Sequence, residues 1–292
     1  NDCSVQALMY LRKTARPELR AAVVDASFHA AEALLARGDN AQAAAIYTEM
    51  MDGGRPENIR ITALQGLTAA KGADAIPQLL ELINGPDERL QLVAARCAQR
   101  VPGARVTRQL TKSLETASPG TQAVLLEMLG QRGDKRAMKA VAKYLEANDP
   151  DVRIAAVGAM RFIGDGSMVE PLARFAAEND GPQRDAARDS LKWMRGQDVD
   201  QKILDSIGKQ PDRVNAELVR AAAVRLMKSA LPALLANVGD SDESVRVPVI
   251  YNIGKLATPQ DLSQVLLAFG KLQPGQNEDT ARDALVQICS RI

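Results

Sequence analysis

Apolar residues recur along most of this chain in two blocks that repeat every 31 residues. One apolar column consists of Ala63, Ala94, Leu125, Ala156 and Ala187. The second block contains another column, formed by Leu79, Leu110, Val141, Leu172 and Ile203. Within each block the apolar positions lie three and four residues apart, which is the period of an amphipathic helix. Because one such helix pair cannot bury its own apolar face, the repeat indicates a solenoid in which neighbouring pairs stack.

The copy around residue 150 shows how the helices begin and end. We predict a first helix over residues 135–147 and a second helix from 151 to 163. The turn between them is Asn148-Asp149-Pro150, where proline favours a helix start and Asp149 and Asp151 stabilise its positive end. Gly164 is a typical helix stop. Beyond residue 196 the spacing loosens, and the sequence predicts three further pairs, at 198–228, 230–257 and 259–290.

A polar column accompanies the apolar ones near the start of each second helix. Its members in the regular copies are Arg60, Gln91, Gln122, Arg153 and Arg184. We expect these residues to tie a helix start to its neighbour, with Gln forming a weaker link than Arg. The set of predicted structural positions is Arg60, Asp151, Arg153, Arg184, Arg246 and Arg282.

The combined motif is a P-x-L-L-x-L-L helix, a short turn, and D-x-x-V-R-x-x-A-x-x-A-L. The segments IPQLLELINGPDERLQLVAARC, NDPDVRIAAVGAM and LPALLANVGDSDESVRVPVI carry it and resemble HEAT repeats of the short bacterial type, which are also found in bilin lyases. The resemblance covers residues 57–292. It implies an all-α, right-handed α-solenoid (superhelix) of stacked antiparallel helix pairs, and we assign residues 53–292 to this array.

The first 52 residues have a different pattern. The stretch ASFHAAEALLARGDNAQAAAIYTEMM resembles a tetratricopeptide helix pair, with Gly38-Asp39 in its turn and Ala44 and Tyr47 as packing residues. We expect residues 1–52 to cap the array, with 1–16 as a frayed helix or the tail of an upstream segment. The chain begins with Asn1, so either a leader has been removed or the chain is part of a longer protein.

Composition narrows the function classes. The chain has 37 basic and 36 acidic residues, and this balance argues against a nucleic-acid-binding protein. Its three cysteines are widely spaced and form no CxxC motif, so they indicate neither a disulfide framework nor a metal site. No apolar stretch approaches the roughly 20 residues of a membrane span. The expected location is the cytoplasm, or an exported compartment after removal of a leader.

Catalytic motifs are missing from the sequence. We find no P-loop, no GxSxG elbow and no glycine-rich dinucleotide turn. His29 is the only histidine, which argues against the iron-dependent hydroxylases built on HEAT-like repeats, because those need several His-Glu pairs. We therefore expect no catalytic residues, no metal and no cofactor.

The candidate binding residues lie near the end of the second helices, which line the concave face in HEAT-like solenoids. They are Arg161, Phe162, Lys192, Trp193 and Arg225, which was aligned to the same column in a sixth copy. Arginine and tryptophan are enriched at binding hot spots. The alternative is that the two aromatic residues pack between helices while the basic residues are merely solvated at helix carboxyl ends.

These observations favour a non-catalytic scaffold or adaptor that binds a protein partner on its concave face. We expect a monomer or a part of a larger chain or complex. One alternative is a HEAT-like enzyme or enzyme subunit of the bilin-lyase kind. Another is a spacer domain within a larger exported protein.

Overall fold

A computed structural model describes residues 16–291, and all regular elements within this range are helices. The chain divides into two compact units, one ending at Met128 and the other starting at Leu129. The boundary predicted between residues 52 and 53 stays a prediction.

The first unit contains the two amino-terminal helices and the first helix pairs of the array. Its helices are α1 (Arg20–Arg37), α2 (Asn40–Met50), α3 (Glu57–Lys71), α4 (Ile76–Ile83), α5 (Glu88–Arg100), α6 (Ala104–Ser113) and α7 (Pro119–Arg132), the last of which contains the unit boundary.

The second unit continues the same alternation of shorter first helices and longer second helices. They are α8 (Met138–Ala142), α9 (Pro150–Ile163), α10 (Val169–Glu178), α11 (Gly181–Trp193), α12 (Gln197–Ser206), α13 (Asp212–Val224), α14 (Leu231–Ala236), α15 (Glu243–Leu256), α16 (Leu262–Phe269) and α17 (Glu278–Cys289). The first helix predicted over 135–147 is interrupted: 3₁₀ turns at Lys135–Ala137 and Lys143–Glu146 flank α8. Such turns are common at the ends of short helices.

The starts of the second helices follow the repeat more strictly than the sequence suggested. Seven of them begin one repeat of 31 residues apart, at Glu57, Glu88, Pro119, Pro150, Gly181, Asp212 and Glu243. The loosening expected after residue 196 therefore affects the apolar columns and not the helix starts. Only α17, which begins at Glu278, departs from this interval among the second helices described.

The tetratricopeptide-like pair shares a core with the first helix of the array. Gly38 has a left-handed backbone (φ 85°) and ends α1, in the turn where the sequence placed it. Tyr47 and Ala44 are both buried, and the core they join extends to Ala63 and Leu67 of α3. Gly66 allows this contact, because a Cβ at that position would lie 2.2 Å from the ring of Tyr47.

The polar column binds the loop within its own repeat. The Nη1 of Arg153 donates to the carbonyl of Ala147 at 2.6 Å, and Arg246 reaches the carbonyl of Asp240 in the same way at 2.6 Å. Gln122 makes the equivalent bond to Leu114 through its amide at 2.9 Å. In the copy that contains α13, the side chain of Asn215 instead accepts a hydrogen bond from the Gly208 amide at 2.6 Å. The arginines and Gln122 thus donate to loop carbonyls, whereas Asn215 accepts from a loop amide, and each holds its loop by a hydrogen bond.

The longer arginines also reach the next repeat. The Nε of Arg153 donates to Gln183 at 2.8 Å, and that of Arg246 donates to Asn277 at 2.6 Å. In the first unit, Arg60 lies 3.5 Å from Asp87, which begins the next second helix. These bonds give the predicted link between repeats a concrete geometry.

The remaining predicted structural positions have more local contacts. Asp149, rather than Asp151, caps α9 by accepting bonds from two amides of the first turn, while the Asp151 side chain is exposed. Arg184 lies 3.3 Å from Asp180, and Arg282 lies 2.8 Å from Asp279; both pairs are within one turn of a helix start.

The all-α class and the stacked helix pairs of an α-solenoid are confirmed within each unit. In the second unit α9 packs on α11, α11 on α13, and α13 on α15. Ala156, Ala187 and Met160, which belong to the predicted apolar columns, are fully buried between these helices.

Candidate interaction site at the carboxyl ends of α9 and α11

Four of the five predicted binding residues form one cluster. The guanidinium of Arg161 lies 5.3 Å from the ring centre of Phe162 and 5.4 Å from that of Trp193. The Nζ of Lys192 lies 4.7 Å from the ring centre of Trp193. These distances are within the range of cation–π interactions, each worth about 0.5–1 kcal/mol at an exposed site. We call Arg161, Phe162, Lys192 and Trp193 the cation–aromatic cluster.

The cluster lies on the surface. Phe162 is 50% exposed and Trp193 is 48% exposed. Their helix neighbours Met160 and Leu191 are almost completely buried. The two rings therefore leave about half of their surface to solvent, and they are not core residues of the helix stack.

Periodicity and helix electrostatics explain why the four residues meet. Arg161 and Phe162 occupy the last turn of α9, and Lys192 and Trp193 occupy the same positions of α11 one repeat later. Because α9 and α11 pack side by side, the equal register brings the two pairs together. Cations are also stabilised at this end of a helix by its partial negative charge.

The loops that follow the two helices hold their ends together. Gly164 ends α9, and a Cβ there would lie 2.4 Å from the Sδ of Met194, which is fully buried. Two residues later, the Gly166 amide donates to the carboxylate of Asp198 at 2.7 Å. That bond from the Gly166 amide lowers the pKa of Asp198. The backbone beneath the cluster is thus fixed by close packing and by a charge-assisted hydrogen bond.

Arg225 has a different position from the other four. Its Nη1 donates to the carbonyls of Leu191, Lys192 and Met194 at 2.7, 3.0 and 2.9 Å, and its Nη2 lies 2.6 Å from Asp200. The side chain is only 10% exposed. It satisfies the free backbone carbonyls at the end of α11 and so stabilises the helix end that carries Lys192 and Trp193. The difference arises from the register of the repeat. The residue one repeat after Arg184 is Asn215, so Arg225 lies two residues past the column to which it was aligned.

Sequence reasoning missed a second cation–aromatic pair, on α15. The Nζ of Lys255 lies 4.3 Å from the ring centre of Tyr251, which is 46% exposed. Tyr251 lies one helical turn before the position that aligns with Phe162 and Trp193, so a comparison of aligned positions did not reveal it. Between the two pairs lies Leu226, which is also 46% exposed.

A buried ion pair lies one turn before the cluster on α11. Arg188 forms two parallel hydrogen bonds with Glu217 of α13, at 2.8 and 2.6 Å, and its Nη2 also donates to Ser244 of α15 at 2.9 Å. The two side chains are 7% and 5% exposed. Burial opposes the charge of the arginine, but the hydrogen bond and charge of Glu217 outweigh it and raise the pKa of Arg188. This network connects three successive second helices.

Elsewhere in the described residues, the side chains that could take part in catalysis or metal binding show few signs of reactivity. In the first unit, a cavity of about 390 Å³ is lined in part by Thr68, Cys97 and Arg100. Burial raises the pKa of the Cys97 thiol, which keeps it protonated and weakly nucleophilic at neutral pH. His29 is exposed on α1. Residues 16–291 contain no group of three or more His, Cys, Asp or Glu side chains that could hold a metal ion.

None of the helices within 16–291 combines the length and the apolar character needed to cross a bilayer.

Solved structures with a similar backbone fold include several all-helical proteins, all at low sequence identity to this chain. Human deoxyhypusine hydroxylase in complex with glycerol is 18% identical, over 88% of this chain and 98% of that one, with a TM-score of 0.39. An engineered protein is 16% identical, over 99% and 89%, with a TM-score of 0.45. The complex of CpcE and CpcF of phycocyanin lyase from Nostoc sp. is 18% identical, over 74% and 94%, with a TM-score of 0.35.

No curated protein sequence shows significant similarity to this chain. One family of sequences does match, over the middle of the chain, and its description is HEAT repeats. The matched segment begins within α6 and ends at Lys192, inside the cation–aromatic cluster and one residue before the end of α11. This match confirms the resemblance to HEAT repeats over residues 107–192.

Proposed function

We propose that the chain is a non-catalytic scaffold that binds an acidic protein partner through the cation–aromatic cluster. The observation that carries the proposal is the position of Trp193, a half-exposed ring with Arg161 and Lys192 on it. Tryptophan and arginine are the residue types most enriched at binding hot spots. A half-exposed ring costs free energy in water, and a partner that covers it would regain that cost.

The charges of the cluster favour an acidic partner. The Arg161 guanidinium and the Lys192 ammonium are exposed at the carboxyl ends of their helices, where carboxylates of a partner could reach them. The nearby carboxylate of Asp200 is already bound by Arg225. Binding would therefore pair two cations of the cluster with partner carboxylates, while the rings supply apolar contact area.

Two features support a role without catalysis. The surface at the cluster is open and built from solvated side chains, whereas ligand and active sites are usually concave pockets with converging polar groups. The buried thiol of Cys97 has a raised pKa, which is the opposite of what a nucleophile needs.

The test is an affinity purification from the source organism with three baits, each first shown by circular dichroism to be folded. They are the wild-type chain, an Arg161→Ala/Lys192→Ala/Trp193→Ala variant, and an Arg174→Ala/Lys271→Ala control that removes two exposed cations from elsewhere. We expect a partner that the wild type and the control retain and the triple variant loses. Crosslinking should place an acidic segment of that partner at the cluster.

A partner held equally by all three baits would overturn the assignment of the site. A partner crosslinked through a basic segment would overturn its charge preference. Turnover of a small molecule by the purified chain would overturn the non-catalytic role.

A further inference from the structure

We propose, on the basis of the proposed function, that the partner binds as an extended acidic segment along a strip that continues from the cluster to α15. The strip consists of the exposed apolar side chains Phe162, Trp193, Leu226 and Tyr251 with the cations Arg161, Lys192 and Lys255. The occupant is a peptide segment that alternates acidic and apolar residues.

The order of the helices places these residues in a row. The four helices α9, α11, α13 and α15 pack consecutively. Exposed large apolar residues lie at the carboxyl ends of α9 and α11, two residues past the end of α13 (Leu226), and five residues before the end of α15 (Tyr251). Packed helices lie about 8–10 Å apart, so the three steps span roughly 24–30 Å. A peptide in the extended conformation covers about 3.3 Å per residue, so about seven to nine residues would fill the strip.

Leu226 provides independent support for the strip. Its backbone has a φ of 56°, a left-handed conformation that costs a leucine free energy and that glycine adopts without strain. The residue directly follows the last turn of α13, where its amide bonds to Ala223 and that of Met227 bonds to Ala222. Glycine is the usual choice at this position of a helix end. A strained position that holds an exposed apolar side chain is a feature expected of a functional surface.

The three charged residues that define the strip are all cations. Arg161 and Lys192 flank Trp193 at one end, and Lys255 lies on Tyr251 at the other. Arg225 and Arg291 do not add to these cations, because their guanidinium groups bind carbonyls at the ends of α11 and α15. Acidic residues spaced along an extended segment would therefore meet a cation at both ends of the strip, with apolar residues against the rings and Leu226 between them.

The experiment is a selection from a random twelve-residue peptide display library on the full chain. We expect enrichment of peptides that combine several Asp or Glu with apolar residues. The best peptide, labelled with fluorescein, is then titrated by anisotropy against the wild type and against Trp193→Ala, Leu226→Gly, Tyr251→Ala and Lys255→Ala variants. Each variant should weaken binding at least fivefold, and a six-residue truncation of the peptide should bind at least tenfold more weakly.

Leu226→Gly is the decisive variant because it separates binding from folding. Since it removes a strained residue, its Tm should equal or exceed that of the wild type, while its affinity falls. A Leu226→Ala variant keeps a side chain in the left-handed conformation and serves as the matched control for the loss of the apolar group.

The outcomes distinguish this inference from the proposed function. If only Trp193→Ala weakens binding, the cluster binds peptides and the strip does not exist. If the selected peptides are basic or uncharged, or bind all variants alike, both proposals are wrong. If the free chain self-associates and Leu226→Gly abolishes that association, the strip binds a second copy of the chain and the peptide proposal is overturned.

Discussion

Two cationic residues of α11, only four positions apart, show two uses of charge in the same helix. Arg188 is buried, and its guanidinium binds Glu217 and Ser244 of the two following second helices. Lys192 is exposed, and its ammonium lies against the half-exposed ring of Trp193. The first residue connects three repeats, whereas the second leaves hydrogen-bonding capacity and apolar surface open to a partner.

This difference separates the charges that stabilise the array from those that remain available to bind a partner. A buried ion pair costs desolvation that only full pairing offsets, so losing either partner is expensive. A cation on an exposed ring contributes little to folding and remains available for an incoming carboxylate. The predictions below test this division, from the largest effect on stability to the smallest.

The largest effect should come from charge placed in the packed interface between helices. Ala156 of α9 is fully buried, so Ala156→Lys would bury an unpaired ammonium and crowd the neighbouring helix. We expect a loss of more than about 4 kcal/mol in the free energy of unfolding. Arg161→Ala, five residues later on the same helix, removes only two exposed cation–π contacts and should change it by at most about 1–2 kcal/mol. Thermal and urea melts that ranked the two variants in the reverse order would show that the buried and exposed faces of α9 are wrongly assigned.

The next effect should come from breaking the buried pair. Glu217→Ala leaves Arg188 buried without its carboxylate and should cost about 3–5 kcal/mol in urea unfolding. The double variant Arg188→Met/Glu217→Leu removes both charges and should recover most of that loss, because no unpaired charge remains. If the double variant were as unstable as the single one, the pair would contribute through more than its charge balance.

A moderate effect is expected for Arg225, which caps α11. Arg225→Ala removes bonds to three carbonyls and to Asp200, and should cost about 1–3 kcal/mol. Arg225→Lys should recover little, since one ammonium cannot reproduce the planar guanidinium. Chemical denaturation measures both variants, and the exposed Arg174→Ala serves as the reference for loss of a cation.

The smallest effect is a dependence on acid. The hydrogen bond from the Ser244 hydroxyl lowers the pKa of Asp242, which caps α15, so the folded state favours its charged form. Its contribution to stability is present above the ordinary aspartate pKa of about 3.9 and is lost as the pH falls through the lowered value. The Tm difference between the wild type and Asp242→Asn should therefore be constant from pH 7 to about pH 5 and narrow below about pH 4. A difference that widened in acid would contradict the direction of the shift.

The fold was accessible from sequence because its determinants are local and periodic. The column of Ala156 and Ala187 and the loop-binding role of Arg153 recur every 31 residues, so each copy reinforces the reading of the others. The cation–aromatic cluster was accessible for the same reason, since its two halves are one repeat apart.

The parts that escaped sequence reasoning depend on contacts outside the period. Arg225 was placed in the exposed column because its copy was aligned by apolar spacing, while the helix itself begins at Asp212 in strict register. The Arg188–Glu217 pair joins residues 29 positions apart, so no column contains it. The strain at Leu226 is a backbone property, and an exposed leucine in the sequence gives no sign of it.

The location of Trp193 has an optical consequence. It is the only tryptophan in the chain, and it lies on the surface rather than in the core. The emission of the folded protein should therefore already resemble that of a solvated indole and change little on denaturation, so fluorescence would be a poor reporter of unfolding. For the same reason it would be a direct reporter of anything that covers the cluster, because a bound partner that excludes water from the ring should shift the emission of the whole protein to shorter wavelength.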